Sequence, residues 1–342
     1  THPQAEIHFY TWLPDALGGI SLIDRIVDAR CVRLADVEKD YADVFFLRYE
    51  DHRRLAIVDG YAVSTGIESG DEKLEVAIGP SVSAAANKLL GGLTSNVLIG
   101  IQPRSGSVFK DYPLERFQEL VDRINANYRD ASIVVLCDRR LELRDCLNLS
   151  GCIPDVRVAS AVVGRCDFFI SVDAGLLHVA QALGIPTVGL FGPTSPELVV
   201  TDAERLIAVR CEELQCLGCF HELHPGQEST WTCRRGDLAC MRQLPVETVY
   251  AAFVQLQLQA PQTSLARRKA EYRTFREAYR AKLDLLAERT RIAAAYRQQI
   301  DRIARRPRWV EAIGSVARAL AIRLGGPQTG LRVLRWMKHR EG

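Results

Sequence analysis

From Asp167 to Glu197 the chain reads DFFISVDAGLLHVAQALGIPTVGLFGPTSPE, and the period of its apolar positions changes twice. Phe168 to Val172 is a buried-strand run, apolar apart from Ser171. Leu176 to Leu183 then repeats apolar residues at helical spacing until Gly184, and Ile185 to Phe191 is a second strand run. Asp173-Ala174-Gly175 turns the chain between the first strand and the helix. Two parallel strands joined by a helix make a right-handed crossover, whose ligand site lies beyond the carboxyl ends of the strands. The helix N-terminus at that end offers unpaired amide donors and a partial positive charge, which suits a phosphate. His178 lies about one turn into the helix and so faces the same way as the turn.

Elsewhere the pattern alternates in the same manner. Up to residue 95 it predicts strands at Glu6–Trp12, Asp43–Arg48 and Leu74–Ile78, with helices near Ile20–Val27, His52–Val63 and Ser81–Leu90, an order that argues for a parallel α/β layer. A second such layer begins at Asn96. Val97–Ile101 is its first strand, followed by a loop from Gln102 to Lys110 that carries Arg104, Ser105, Gly106 and Ser107. Pro113 opens a helix running to Asn127. Ile133–Cys137 is the next strand, then a polar helix containing Glu142, and Asp155–Arg165 leads back to the Asp167 strand. A flexible cation beside amide-rich small residues suits a diphosphate, although a solvated surface lysine has the same local pattern. Taken singly, Asp173 also reads as a helix cap, His178 as a core histidine and Glu142 as an exposed helix glutamate.

Charge sets the last quarter apart. From Pro261 onward there are 20 Lys+Arg and 7 Asp+Glu, leaving 24 and 35 before it. Residues 266–306 lack Gly and Pro and place Tyr272, Phe275, Tyr279, Leu283, Leu286, Ala293, Tyr296, Ile300 and Ile303 at three- and four-residue steps. That predicts an amphipathic helix on the order of 60 Å long, ended by Pro307. Trp309–Leu324 and Leu331–Met337 are shorter apolar-basic helices. Such a tail packs on its own domains or binds an anionic membrane surface. It lacks a recognisable nucleic-acid module, and no nucleic-acid partner is expected.

The chain's 342 residues, 47% hydrophobic, suffice for two buried cores. No apolar run reaches the roughly 18 residues needed to span a bilayer. The sequence opens on Thr1 with no signal-peptide pattern, so a trimmed chain or a fragment is expected. Ten cysteines without a secretory signal favour reduced thiols or a metal site. Cys216-x2-Cys219 is a chelating spacing that Cys233 and Cys240 could complete, with Cys211, His221 and His224 in reserve. Free thiols and a disulfide remain as alternatives.

The Asp173 stretch resembles the bacterial heptosyltransferases of glycosyltransferase family nine. Their C-terminal domains carry D-[ST]-G-x-x-H, a helix, and a strand ending in F/Y-G-P-T. Here those positions are Asp173, Ala174, Gly175, His178, Phe191, Gly192, Pro193 and Thr194. Ala174 departs from the pattern by removing a hydroxyl. Lys110-Asp111-Tyr112-Pro113 matches the family's K-x-W-P, and Tyr41-Ala42-Asp43-Val44 its first-domain strand. By the same resemblance Thr1 falls after the family's first strand and Gly-Asp turn, so that strand is expected to be missing and the catalytic base to lie upstream of Thr1.

The resemblance implies a GT-B architecture of two Rossmann-like domains facing a cleft. These are residues 1–95 on the acceptor side and 96–260 on the nucleotide-sugar side, with a Cys-rich knuckle at 211–240 and a basic helical extension at 261–342. It also implies inverting transfer from ADP-heptose to a lipopolysaccharide-core or related acceptor, either a lipid-linked saccharide or a protein. Ser105, Gly106, Ser107, Lys110, Glu142, Asp173, Ala174, Gly175 and His178 would bind the donor. No Asp-x-Asp pair occurs in the sequence, so no catalytic metal is expected. The family's C-x-x-C, C and C-M arrangement, with an iron-binding finger in a subgroup, implies a structural zinc or iron at Cys216, Cys219, Cys233 and Cys240. The expected location is the cytoplasm, with attachment to the cytoplasmic face of the inner membrane. The alternative function is a non-catalytic nucleotide-sugar binder or scaffold assembled through the knuckle and tail.

Overall fold

Apolar runs of strand length between Val97 and Val209 pair side by side, because each can be covered on both faces. In the computed structural model they form a six-stranded parallel sheet: β3 (Val97–Gln102), β4 (Ala131–Val135), β5 (Leu147–Asn148), β6 (Phe168–Val172), β7 (Thr187–Leu190) and β8 (Leu206–Val209), in the order β5-β4-β3-β6-β7-β8. The structure describes residues 5–258, apart from 19, 21–22, 42, 67–73, 92, 94, 96, 202–204 and 224–230. The predicted tail helices, His224 and the 261–342 extension lie outside the described residues.

Side chains alternate across the sheet as a period of two requires. Ile99, Ile101, Ile170, Val172, Val188 and Leu190 meet α4 (Leu114–Asn127) and α7 (Val246–Gln257) in one core. α4 presents Phe117, Leu120, Val121 and Ile124, a stripe at helical spacing, to that face. Phe169, Val134 and Leu136 point the other way, into a second core with α3 (Pro80–Leu89), α5 (Val156–Val163) and α6 (Gly175–Ala182). Asp155 caps α5 by accepting the Val158 N–H at 2.9 Å.

Strand order reverses between β3 and β6. The chain leaves β3 toward β4 on one side, and β6 resumes on its other side in register, Gln102 beside Ser171. The loop after β3 and the turn after β6 therefore open at the same carboxyl edge, at a topological switch point.

The N-terminal region departs most from the predicted pattern. β1 (His8–Thr11) forms as expected, but the helix predicted near Ile20–Val27 is replaced by β2 (Arg25–Asp28), which pairs with β1 in parallel, His8 beside Arg25. Asp24 fixes that register by accepting the Ile7 N–H at 2.7 Å. The predicted strands at Asp43–Arg48 and Leu74–Ile78 are irregular, since among the described residues no strand lies beside either one. α1 (Leu34–Asp40) and α2 (Ile57–Thr65) complete the region, and α3 packs on α5.

Candidate functional site

The Lys110 loop is held at both ends. Asp111, nearly buried, accepts the Ser105 N–H at 2.8 Å with one oxygen and Arg104 at 3.2 Å with the other. Tyr112 is fully buried, rests edge-on against Phe117 and donates its hydroxyl to the Leu244 carbonyl at 2.9 Å. Between these anchors Ser105 donates to the Ser107 carbonyl at 2.7 Å and accepts the Ser107 N–H at 3.0 Å. The Ser105 hydroxyl thus builds the loop, while Gly106 lies exposed with open space above it.

Lys110 ends a short 3-10 turn, and its ammonium reaches Asp173 Oδ2 at 3.3 Å. The same oxygen accepts a hydrogen bond from Thr194 Oγ1 at 2.7 Å. His178 Nε2 stands 3.8 Å from Asp173 Oδ1. The switch point has therefore brought together the lysine, the aspartate, the histidine and the threonine of the Phe-Gly-Pro-Thr turn. Asp173 does not cap α6. Ala174 occupies the N-cap position with no side-chain hydrogen bond, and a Cβ built on Gly175 would meet nothing within 4 Å. The helix start is therefore open where a Gly175 side chain would stand, and an uncapped helix N-terminus of this kind accepts an anion.

Burial lowers the His178 pKa below its ordinary value; the Asp173 charge opposes this and Lys110 reinforces it. Neutral imidazole is the form this geometry favours near neutral pH. Tyr49 is pushed up to about 12, first by burial, then by Glu50, Tyr61 and the charge of Asp173. The same segment is tied to the Cys-rich segment through Arg53, whose guanidinium donates to the Leu223 carbonyl at 3.2 Å and whose carbonyl lies 2.7 Å from His221 Nδ1.

The Cys-rich segment packs directly on this turn. Gly218 donates its N–H to the Gly192 carbonyl, and Phe220 to that of Pro193, both at 2.9 Å. Gly218 has φ of 73°, and a Cβ there would come within 2.4 Å of Ser195 Oγ. Gly192 is constrained by packing alone, since a Cβ would meet Met241 Sδ at 2.8 Å and Cys240 Sγ at 2.9 Å. Trp231 rests on Phe109, beside Lys110, with ring centroids 4.6 Å apart, and on Phe220 at 5.1 Å.

The expected metal knuckle is not formed. Cys216, Cys219, Cys233 and Cys240 are all thiols, and among the described residues no three His, Cys, Asp or Glu side chains converge to hold an ion. Burial first, then the charges of Cys219, Cys216 and Cys233, raise Cys240 to about 11. Cys240 is turned into the core against Gly192, and both nitrogens of His221 are occupied by the backbone, which removes it from the reserve ligands. No disulfide links any of the ten cysteines.

Glu142 lies on an irregular exposed loop rather than the predicted helix, with Arg140 at 3.9 Å and its side chain 91% exposed. The residues that sequence reasoning missed are Asp111, Tyr112 and Thr194. The first two sat within the K-x-W-P match and the third ended the Phe-Gly-Pro-Thr turn, so position marked them while their contacts did not show.

A family model described as glycosyltransferase family 9 (heptosyltransferase) matches residues 52–229, just over half the chain. Among curated relatives, lipooligosaccharide heptosyltransferase 2 of Haemophilus influenzae is 33% identical over 73 residues, 21% of each chain. The lipopolysaccharide core heptosyltransferase OpsX of the same species is 23% identical over 221 residues, 59% of this chain and 60% of that protein. The chain thus spans between a fifth and three fifths of the length of these relatives. The solved ADP-heptose LPS heptosyltransferase II of E. coli superposes with a TM-score of 0.55 at 16% identity, over 75% of this chain and 91% of that one, a likeness of fold. With the match covering both the Lys110 loop and the Asp173 turn, the chain belongs to glycosyltransferase family 9, the heptosyltransferase family.

Proposed function

We propose that the protein transfers a heptose from ADP-heptose to a lipopolysaccharide-core or related lipid-linked saccharide, with inversion at the anomeric carbon. The observation that carries this reading is the Lys110 ammonium, 3.3 Å from Asp173 Oδ2 at the open, uncapped start of α6. A diphosphate laid there would meet the ammonium on one side and the helix amides on the other. As the bond to the anomeric carbon breaks, negative charge grows on the departing diphosphate. Donors already fixed around that position stabilise it without reorganisation. Asp173 and Thr194 orient Lys110, and neutral His178 offers one ring nitrogen to a phosphate or ribose oxygen. This division of labour supplies by protein groups what a divalent ion supplies elsewhere.

Membership of the family also supports two Rossmann-like domains facing a cleft, with the acceptor held on the N-terminal side. The names of the relatives, which concern lipopolysaccharide and lipooligosaccharide synthesis, support a cytoplasmic reaction at the inner membrane. The charge excess after Pro261 supports attachment to anionic lipid there. Among the described residues no helix is long and apolar enough to cross a membrane.

Donor turnover tests the proposal: ADP-heptose should be consumed in the presence of a core acceptor, while UDP- and GDP-sugars are not. Preference for another nucleotide would overturn the donor assignment. A second reading, binding without transfer, draws on Ala174 in place of the family's Ser or Thr. It predicts ADP-heptose binding with no turnover on any core acceptor.

A further inference from the structure

One imidazole joins the Cys-rich segment, the Tyr49 segment and the Asp173 site. His221 lies in the 3-10 turn Cys219–Glu222 and is 9% exposed. Its Nε2 stands 3.0 Å from the backbone nitrogen of Ser195, and since an amide N–H only donates, Nε2 is the acceptor. Its Nδ1 stands 2.7 Å from the carbonyl oxygen of Arg53, which only accepts, so Nδ1 carries the proton. These two bonds fix a neutral ring in one tautomer and one orientation.

Ser195 is the residue after Thr194, whose hydroxyl holds Asp173 Oδ2 at 2.7 Å, and the same oxygen holds Lys110. Arg53 directly follows the 3-10 turn Tyr49–His52, which begins with the tyrosine that senses the Asp173 charge. The imidazole thus sits at the crossing of a line that runs from Arg53 through Ser195 and Thr194 to Asp173 and Lys110.

We propose that His221 is a positioning residue for the diphosphate site. By accepting the Ser195 N–H it sets Thr194 on Asp173, and hence Lys110 over the start of α6. By donating to Arg53 it ties the Tyr49 segment to the same constellation. The Cys-rich segment then serves the donor site by presenting this ring, whether or not its sulfurs hold an ion. The inference rests on the nucleotide reading of Lys110 and Asp173 given above.

Two substitutions separate the bonds. His221→Gln places an amide oxygen near the Nε2 position and can keep the Ser195 bond. His221→Asn places an amide nitrogen near Nδ1 and can keep the Arg53 bond while giving up Ser195. Each loses one hydrogen bond, so a purely structural role predicts similar losses of stability and equal ADP affinity. The proposal predicts that His221→Asn raises the ADP Kd of the folded protein about tenfold, against about twofold for His221→Gln, with adenosine affinity unchanged in both. Equal ADP affinities in the two variants would overturn it.

A readout without ligand separates this claim from the donor reading. In 15N spectra of the wild-type protein, His221 should show the Nδ1–H tautomer, and the Asp173 carboxyl 13C resonance should move in His221→Asn but not in His221→Gln. An Nε2–H tautomer, or an Asp173 resonance indifferent to His221→Asn, contradicts the positioning role. Failure of the wild-type protein to bind ADP, with these spectra as predicted, overturns the donor reading and leaves the His221 linkage standing.

Discussion

The sheet region from Val97 to Leu258 and the region before Arg48 contain similar apolar runs with opposite fates. In the first, Phe169, Ile170, Leu177 and Phe191 are fully buried between sheet and helices. In the second, Trp12, Leu13, Phe45, Phe46 and Leu47 remain exposed, between 41% and 73%. The difference shows that an apolar run becomes a strand only when a neighbouring strand accepts its backbone and a second layer covers its side chains. Among the described residues the N-terminal region offers β1 only one partner, β2, whereas in the sheet region β3 has partners on both sides.

Core truncation should break the comparison most visibly. Phe169→Ala or Leu177→Ala is expected to cost about 3–5 kcal/mol in urea unfolding, because a cavity remains where the sheet meets its helices. Phe45→Ala should change stability by no more than about 0.5 kcal/mol. Comparable losses in the two regions would mean that the region before Arg48 has a core of its own.

Next in size is Gly192→Ala. The added methyl would press on Met241 and Cys240, so a loss of about 1–3 kcal/mol is expected, with weaker ADP binding because the turn carries Thr194. Gly79→Ala, at the start of α3 and outside the sheet region, where a Cβ meets nothing within 4 Å, is the matched control. Equal stabilities for the two variants would remove the close packing of the Cys-rich segment on the site.

A smaller effect follows from the two histidines beside the sheet. Burial holds both His178 and His221 below the ordinary value of 6.5. Each therefore binds a proton more readily when unfolded. Their contribution is complete above about pH 6.5 and is lost as pH falls through the lowered folded values. The melting temperature should drop between pH 7 and pH 5, and the drop should shrink in His178→Gln. An unchanged slope would show that His178 is not held neutral.

The smallest effect concerns the thiols. Burial raises Cys233, but the amides of Leu238, Arg235, Gly236 and Asp237 outweigh it and lower its pKa, while burial raises Cys219 and Cys240. Iodoacetamide near neutral pH should label Cys233 before the other two. Labelling of Cys240 first would reverse that order.

Legibility in the sequence follows the same division. The Asp167–Glu197 stretch could be read nearly residue by residue: β6 matches its predicted span, and α6 and β7 differ only at their ends. There, periodicity and burial agree. Helix α4 and its Pro113 start were equally clear. Around Ile20–Val27, apolar residues at mixed spacing suggested a helix, and only pairing with β1 made Arg25–Asp28 a strand. The Glu142 segment failed for the opposite reason, since polar residues with helix propensity were left without a surface to pack on. Lys110, Asp173 and His178 could be named because motif spacing marked them. Their meeting point could not be read from any one segment, because it depends on β3 and β6 becoming neighbours across 65 residues of intervening chain. The cysteine spacing marked a segment that packs on the site, but chelating intervals do not reveal that Cys240 faces the core.

The central claim, a diphosphate site built from Lys110 and the start of α6, is tested most directly by calorimetric titration of ADP and adenosine into wild-type protein and Lys110→Ala. The account predicts that Lys110→Ala weakens ADP by about tenfold or more, the scale of a hydrogen bond to a charged group, and leaves adenosine unchanged. Equal losses for both ligands, or ADP binding untouched by the substitution, would contradict it.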